Sequence, residues 1–281
     1  MDTFKNEIVK FVFFLSIVPL IVSCVNNARK SDVSFLIPSG SECIEIVNVN
    51  SMALKDPYMF RELVNNHPVL IANNYMTVLD DTLASPMPLP LAYEISDIHW
   101  LDGQCFFSSD STVFYGDNNG GIHPILCLDR KINSFQVSES RIIVPVDSLL
   151  LEYQFGAEEI TCIANIHQTI SRANEIEDAL FFSSGKNLYL LDEDQIYHIY
   201  EGTEPISSFV VHSCGGIFLG TEKGLSFLMP DYKLFEIVSA AIKDLTIIGD
   251  DLFIIFEDNS SVKITNISNY QRQIEEFSIT N

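Results

Sequence analysis

The sequence predicts an all-β fold, a β-propeller of about six four-stranded blades, and three observations carry that prediction. The stretch 206–230 (ISSFVVHSCGGIFLGTEKGLSFLMP) reads as strands at 206–212, 217–222 and 225–229 joined by tight turns at Gly215-Gly216 and Lys223-Gly224, which is most of one blade. Strand starts equivalent to Ile217 recur at Pro68, Cys105, Ile142, Leu180 and Leu252, with successive intervals of 37, 37, 38, 37 and 35 residues. Each start follows a turn-forming pair: Asn65-Asn66, Asp102-Gly103, Glu139-Ser140, Glu177-Asp178, Gly215-Gly216 and Asp250-Asp251. A repeat near this length with four short strands per unit is the period of propeller blades.

The amino terminus stands outside this repeat. Lys5 and Lys10 form a weakly basic start, and residues 11–22 (FVFFLSIVPLIV) make an apolar run too short to span a bilayer comfortably. The run ends Ile21-Val22-Ser23-Cys24, which resembles a bacterial lipobox. That resemblance implies cleavage before Cys24 and lipidation of Cys24, hence a membrane anchor. Val25, where an Asp would suggest inner-membrane retention, points to the outer membrane. The expected organisation is a lipoprotein signal peptide over 1–23, the lipidated Cys24 with a polar tether over 24–34, and a single propeller domain over 35–281.

The units follow in order. Residues 51–66 hold either a short helix or an inner strand at 58–64, and the Pro-rich run 85–90 (SPMPLP) is a loop or edge segment, because Pro cannot donate within a central ladder. The second unit reads as strands at 95–101, 105–109, 112–116 and 123–129. In the fourth unit, 160–166 is the expected inner strand, and 167–177 (HQTISRANEIE) an inserted loop or short helix. The fifth adds an outer strand at 232–238. The sixth comprises 243–249, 252–257 and 261–265, with a fourth strand either at 276–280 or at 43–49 (CIEIVNV), the latter closing the ring with both termini. The third and fourth units are the most irregular, which leaves five or seven blades, or a β-sandwich with insertions, as alternatives.

Composition limits the partners. Lys plus Arg is 16 against 38 for Asp plus Glu, a formal charge of −22. Nucleic acid is excluded as a partner by that balance, as is a polybasic membrane-surface role. The 47% hydrophobic content suffices for a core. Five further cysteines (Cys43, Cys105, Cys127, Cys162 and Cys214) sit singly without metal-like spacing, and five cannot all pair. Their pairing is open, and most are expected to be small buried hydrophobes in apolar strands.

Residues 216–225 (GIFLGTEKGL) resemble the propeller repeat of two-component-regulator sensor domains, and residues 54–80 are similar to the first blade of six-bladed propeller lipoproteins of Bacteroidetes. The resemblance to that lipoprotein family implies a propeller at the cell envelope and carries no ligand.

Catalytic motifs are missing: there is no G-x-S-x-G, H-E-x-x-H or complete Walker A sequence. His99 and His212 fall at similar places in their predicted inner strands, so a shared metal in the channel is conceivable, but the ordinary role of such a histidine is packing or solvation. The acidic clusters at Asp117-Asn118-Asn119, Asp192-Glu193-Asp194, Asp250-Asp251 and Glu257-Asp258-Asn259 lack the spacing of a calcium loop and match turn chemistry. No cofactor, metal or catalytic residue is therefore expected. Trp100, which closes an inner strand just before a turn, is the aromatic expected to contact a ligand at the channel mouth. The functional reading is a lipid-anchored envelope module that binds or scaffolds a protein. The alternatives are capture of a glycan or peptide in nutrient uptake, and a hydrolase or lyase working in the channel.

Overall fold

The computed structural model describes residues 44–46, 58–63, 67–72, 75–78, 87–88, 94–117, 121–176, 179–213 and 215–280. The predicted signal peptide, Cys24 and the tether lie outside the described residues, as do Cys43 and Cys214. Among the described residues the strands form six four-stranded antiparallel sheets, one per blade of a β-propeller.

Strand β1 (Ile44–Ile46) precedes blade I, which comprises β2 (Tyr58–Leu63), β3 (His67–Ala72), β4 (Tyr75–Val78) and β5 (Met87–Pro88). Blade II comprises β6 (Asp97–Leu101), β7 (Gln104–Ser109), β8 (Thr112–Gly116) and β9 (Ile122–Cys127). Blade III comprises β10 (Gln136–Val137), β11 (Arg141–Val146), β12 (Leu149–Gln154) and β13 (Thr161–Asn165). Blade IV is built from β14 (Arg172–Ile176), β15 (Ala179–Ser184), β16 (Asn187–Asp192) and β17 (Gln195–Glu201). Blade V is built from β18 (Ile206–Val211), β19 (Ile217–Thr221), β20 (Leu225–Leu228) and β21 (Leu234–Val238). Blade VI takes β22 (Ile242–Ile248), β23 (Asp251–Phe256) and β24 (Ser261–Ile264), and helix α1 (Ile267–Thr280) ends the chain.

The ring closes as one of the two sequence alternatives expects. β1 pairs antiparallel with β24, Ile44 opposite Ile264 and Ile46 opposite Val262, so the amino-terminal strand is the outer strand of blade VI. The other alternative, a strand at 276–280, is corrected: those residues belong to α1. Ile267, Tyr270 and Ile274 of α1 are fully buried against blades V and VI. The helix start is fastened to the β22–β23 turn, where Asp250 accepts hydrogen bonds from Ser268 N at 3.1 Å and Ser268 Oγ at 2.9 Å.

Strand identity follows from position in the ring. Second strands are covered on both faces by neighbouring blades, so they read as apolar runs without alternation. Five successive residues of β11 and of β23 are buried. Outer strands face solvent, and the first four residues of β17 are all exposed. The a–b turn of blade II holds Asp102 at φ 50° and Gly103 at φ 76°, the paired left-handed conformations of a two-residue hairpin turn. Asp110, Asp147, Glu193 and Asn259 also sit at positive φ, which accounts for the abundance of acidic and amide residues at these turns. Three of the linkers to the next blade are pinned by one recurring contact. Ile132, Ile170 and Ile206, all buried, donate their N–H to the carbonyls of Asp110, Asp147 and Gly185 in the β7–β8, β11–β12 and β15–β16 turns.

Two sequence expectations are corrected here. Residues 160–166 do not supply the inner strand of blade IV; they contain β13, the outer strand of blade III. Residues 167–177 are not an inserted loop or helix, because they contain β14, the true inner strand. Arg172, Asn174 and Glu175 make this strand polar, and the reason lies in the channel. Within 51–66 the described residues Tyr58–Leu63 are strand, as the inner-strand alternative expects.

Candidate functional site

Each blade begins with its inner strand, and rotation about the ring axis sends all six inner strands the same way along the channel. Residues one repeat apart, in or just before these strands, therefore meet at one level. In this sequence they are charged or polar: Arg61, Asp97, Ser134, Arg172, Ser208 and Asp244, at intervals of 36, 37, 38, 36 and 36 residues.

Arg61 on β2 is the centre of a buried network. Its Nη2 donates to Asp97 Oδ1 at 2.5 Å and its Nε to the same oxygen at 3.2 Å. Its Nη1 donates to Phe60 O at 2.6 Å, Thr246 Oγ1 at 3.3 Å and Asp244 Oδ2 at 3.5 Å. Asp244 in turn accepts from Arg172 Nη1 at 2.5 Å, and that nitrogen also reaches Ser208 Oγ at 2.6 Å. Ser208 Oγ lies 3.1 Å from Asp244 Oδ1. Backbone donors complete the set: Ile98 N and Phe135 N bind Asp97 at 2.9 and 3.2 Å, and Leu245 N binds Asp244 at 2.9 Å. Blade III joins through Phe135 N and blade V through Ser208 Oγ, so all six blades contribute to one network around the alternating charges Asp97–Arg61–Asp244–Arg172.

The electrostatics are those of fixed charges. Burial alone would raise the Asp97 pKa, but the Arg61 guanidinium, aided by His99, holds it well below the usual carboxylate range. Asp244 is likewise lowered, with burial opposing and Arg172 and then Arg61 prevailing. Burial works to lower the Arg61 pKa, yet the two carboxylates carry it above its ordinary value. A second cluster lies on the blade III–IV boundary, where Arg141 Nε donates to Glu175 Oε1 at 3.1 Å and Nη1 to Glu152 Oε1 at 3.0 Å. A general acid works best with a pKa near the working pH. Asp97 and Asp244, held low by their arginines, are suited to holding groups in place rather than to moving protons.

Beside the network the channel widens into a cavity of about 320 Å³. Arg61, Asp97 and Arg172 form one part of its wall, and Gln136, Asn174 and Glu175 add polar groups. Trp100, Ile176 and Ile247 also line it and lie toward the a–b turns, where the inner strands end. The structure thus places Trp100, the expected ligand contact, in the cavity wall next to the Asp102-Gly103 turn. The two histidines considered for a shared metal have different partners. His99 lines the cavity, 3.3 Å from Asp97 Oδ2 and edge-on to Phe135. His212 instead meets Asp250 at 3.3 Å, beside the start of α1. Among the described residues no three His, Cys, Asp or Glu side chains group as metal ligands.

The cysteines depart from their expectation. Cys127 and Cys162 are exposed on outer strands and Cys105 is half-buried, all three with free thiols. Burial pushes the Cys105 thiol up to about 12, so it is an unreactive packing group. Apolar neighbours in sequence mislead here because outer strands keep one face in solvent.

Sequence reasoning missed the channel network itself. Its signal is present as a charged or polar residue returning every 36 to 38 positions, one repeat length.

No protein-family model matches the chain, and no curated protein matches it. Solved structures do share its fold. The extracellular domain of a protein assigned to one-component systems of B. thetaiotaomicron superposes with a TM-score of 0.57 at 13% identity, covering 73% of this chain. The match spans 32% of that chain, about a third of its length. A gluconolactonase from Xanthomonas campestris gives 0.58 at 9% identity over 86% of this chain and 98% of that one. The WD40 propeller domain of Doa1 gives 0.59 at 12% identity over 82% and 100%. At these identities the likeness is one of fold, shared by proteins with different roles.

Proposed function

We propose that this chain is a binding and scaffolding module of a bacterial cell envelope, anchored to the outer membrane through lipid on Cys24, which captures a protein partner on its rim. One observation carries the reading. Among the described residues the exposed large hydrophobics are Phe155, Ile160, Ile196, Tyr197, Tyr232 and Leu234. All six lie on the outer hairpins of the consecutive blades III, IV and V, where a solvated surface has no structural need of them. β17 is the centre of this rim. It ends its sheet, spans seven residues without a proline, and exposes Ile196 by 39% and Tyr197 by 45%. Such an edge accepts an added strand from a partner, whose backbone completes the ladder while its side chains read the rim. The acidic turn Asp192-Glu193-Asp194 beside it, on a chain of charge −22, selects a segment carrying Lys or Arg.

The test is site-specific photocrosslinking from position 197 in intact cells, read by mass spectrometry. The expected product is one envelope protein joined through a basic extended segment, lost when Ile196→Asp is introduced and kept when exposed Lys131 of blade III is replaced by Glu. Crosslinks joining two copies of this chain, or none, overturn the reading. For the anchor, Cys24→Ser is expected to move the protein from the membrane fraction to the soluble one; unchanged fractionation removes that part of the proposal.

A further inference from the structure

The channel cavity is separate from the rim, and its chemistry points to a different ligand. Its charged lining consists of Arg61 and Arg172 against Asp97 and Glu175, so the formal charges cancel. Asp97 is consumed by Arg61, and Glu175 by Arg141. No unbalanced charge remains to bind an ion, and the acidity of the whole chain opposes the approach of an anion.

Uncharged hydrogen-bonding capacity does remain. Arg172 spends only Nη1 on Asp244 and Ser208; its Nε and Nη2 make no hydrogen bond among the described residues. Ser134 Oγ is shielded from solvent and has no hydrogen-bond partner among the described residues. Asn174 accepts from Val211 N through Oδ1 at 3.4 Å and keeps Nδ2, while the Gln136 amide is unspent on both atoms among the described residues. These donors and acceptors are mixed, and they line a cavity that also contains the indole of Trp100. A volume of about 320 Å³ sits at the small end of ligand pockets, which begin near about 300 Å³. Hydroxyl groups both donate and accept, and the C–H face of a sugar ring lies well against an aromatic plane.

We infer that the channel cavity binds a neutral saccharide of monosaccharide size, gripped by Arg172, Gln136 and Asn174 and covered at the mouth by Trp100. The grip is built in advance: Arg172 is clamped by Asp244 and Ser208, so little side-chain freedom is lost on binding.

The chain contains a single tryptophan, so its emission reports on this cavity alone. The experiment titrates the protein with D-glucose, D-galactose, D-mannose and N-acetyl-D-glucosamine, and in parallel with D-gluconate and succinate. A saturable change in Trp100 emission with at least one neutral sugar is expected, with a dissociation constant of about 1 mM or below. Gln136→Leu and Asn174→Leu lie outside the Arg61–Asp97–Asp244–Arg172 network and are expected to weaken that sugar by about tenfold while leaving the far-ultraviolet dichroism unchanged. Trp100→Phe, followed by calorimetry, is expected to weaken it as well. Silence with all four sugars, a response confined to gluconate or succinate, or variants that bind as tightly as the parent would each overturn the inference. Ile196→Asp on the rim should leave the titration unmoved, so a failure of the saccharide site and a failure of the rim reading show separately.

Discussion

The channel and the rim of blades III to V reverse the usual placement of polar and apolar groups. Inside, at the ring axis, Arg61, Asp97 and Asp244 are buried with side-chain exposures of 11%, 4% and 9%. Outside, Tyr197, Tyr232 and Leu234 are exposed by 45%, 68% and 45%. The two regions meet different demands. Inner strands from six blades converge on one axis, and alternating charges fasten them with directional bonds that apolar packing lacks. Outer strands diverge, and among the described residues nothing covers the apolar groups Tyr197, Tyr232 and Leu234. Polarity is therefore an intramolecular device at the axis, and under the proposed function hydrophobicity is an intermolecular one at the rim.

This contrast is best broken at Arg61. Arg61→Met strands two buried carboxylates and should cost about 3–5 kcal/mol in denaturant unfolding, the usual range for half of a buried ion pair. A loss below about 1 kcal/mol would mean that the network is incidental to stability.

Acid sharpens it further. Asp97 and Asp244 have folded pKa values below their unfolded values, so their contribution is fully present above the ordinary carboxylate value near 3.9 and is lost as pH falls toward the folded values. The melting temperature should therefore hold down to about pH 5 and fall steeply below about pH 4, with a shallower fall in Arg61→Met. An equal acid response in both proteins would assign the effect to other groups.

Ring closure lies between the two regions. Removing residues before 50 deletes β1 and leaves the β24 edge unpaired, so amide protection over Ser261–Ile264 should drop while that of β15 and β19 stays. Protection that survives at β24 would show that β1 does not seal the ring in solution. The smallest effect belongs to the rim. Tyr197→Glu and Leu234→Asp should change unfolding free energy by no more than about 0.5 kcal/mol, since neither residue is part of the core. A larger loss would make those side chains structural and remove the argument for a partner.

Much of the fold is legible along the chain because its strongest signal is local. Second strands such as ALFFSS in blade IV and DLFIIF in blade VI are apolar runs behind turn-forming pairs, and they occur where the 35- to 38-residue spacing places them. β14 escapes the same reading because RANEI spends its polar residues on the channel and on Arg141, so it looks like a loop until the ring is assembled. Trp100 is legible as a residue before a turn, whereas Gln136, Arg172 and Asn174 of its cavity come from other blades.

What the sequence determined by itself is therefore the repeat: its length, its turns and its apolar second strands. Only the tertiary structure decided which strand closes the ring and which charges pair. Arg61 and Asp244 are 183 positions apart and β1 lies over 200 positions from β24. Pairings at such separations follow from closing six units around one axis, and local pattern, which extends over one blade at a time, carries no record of that closure.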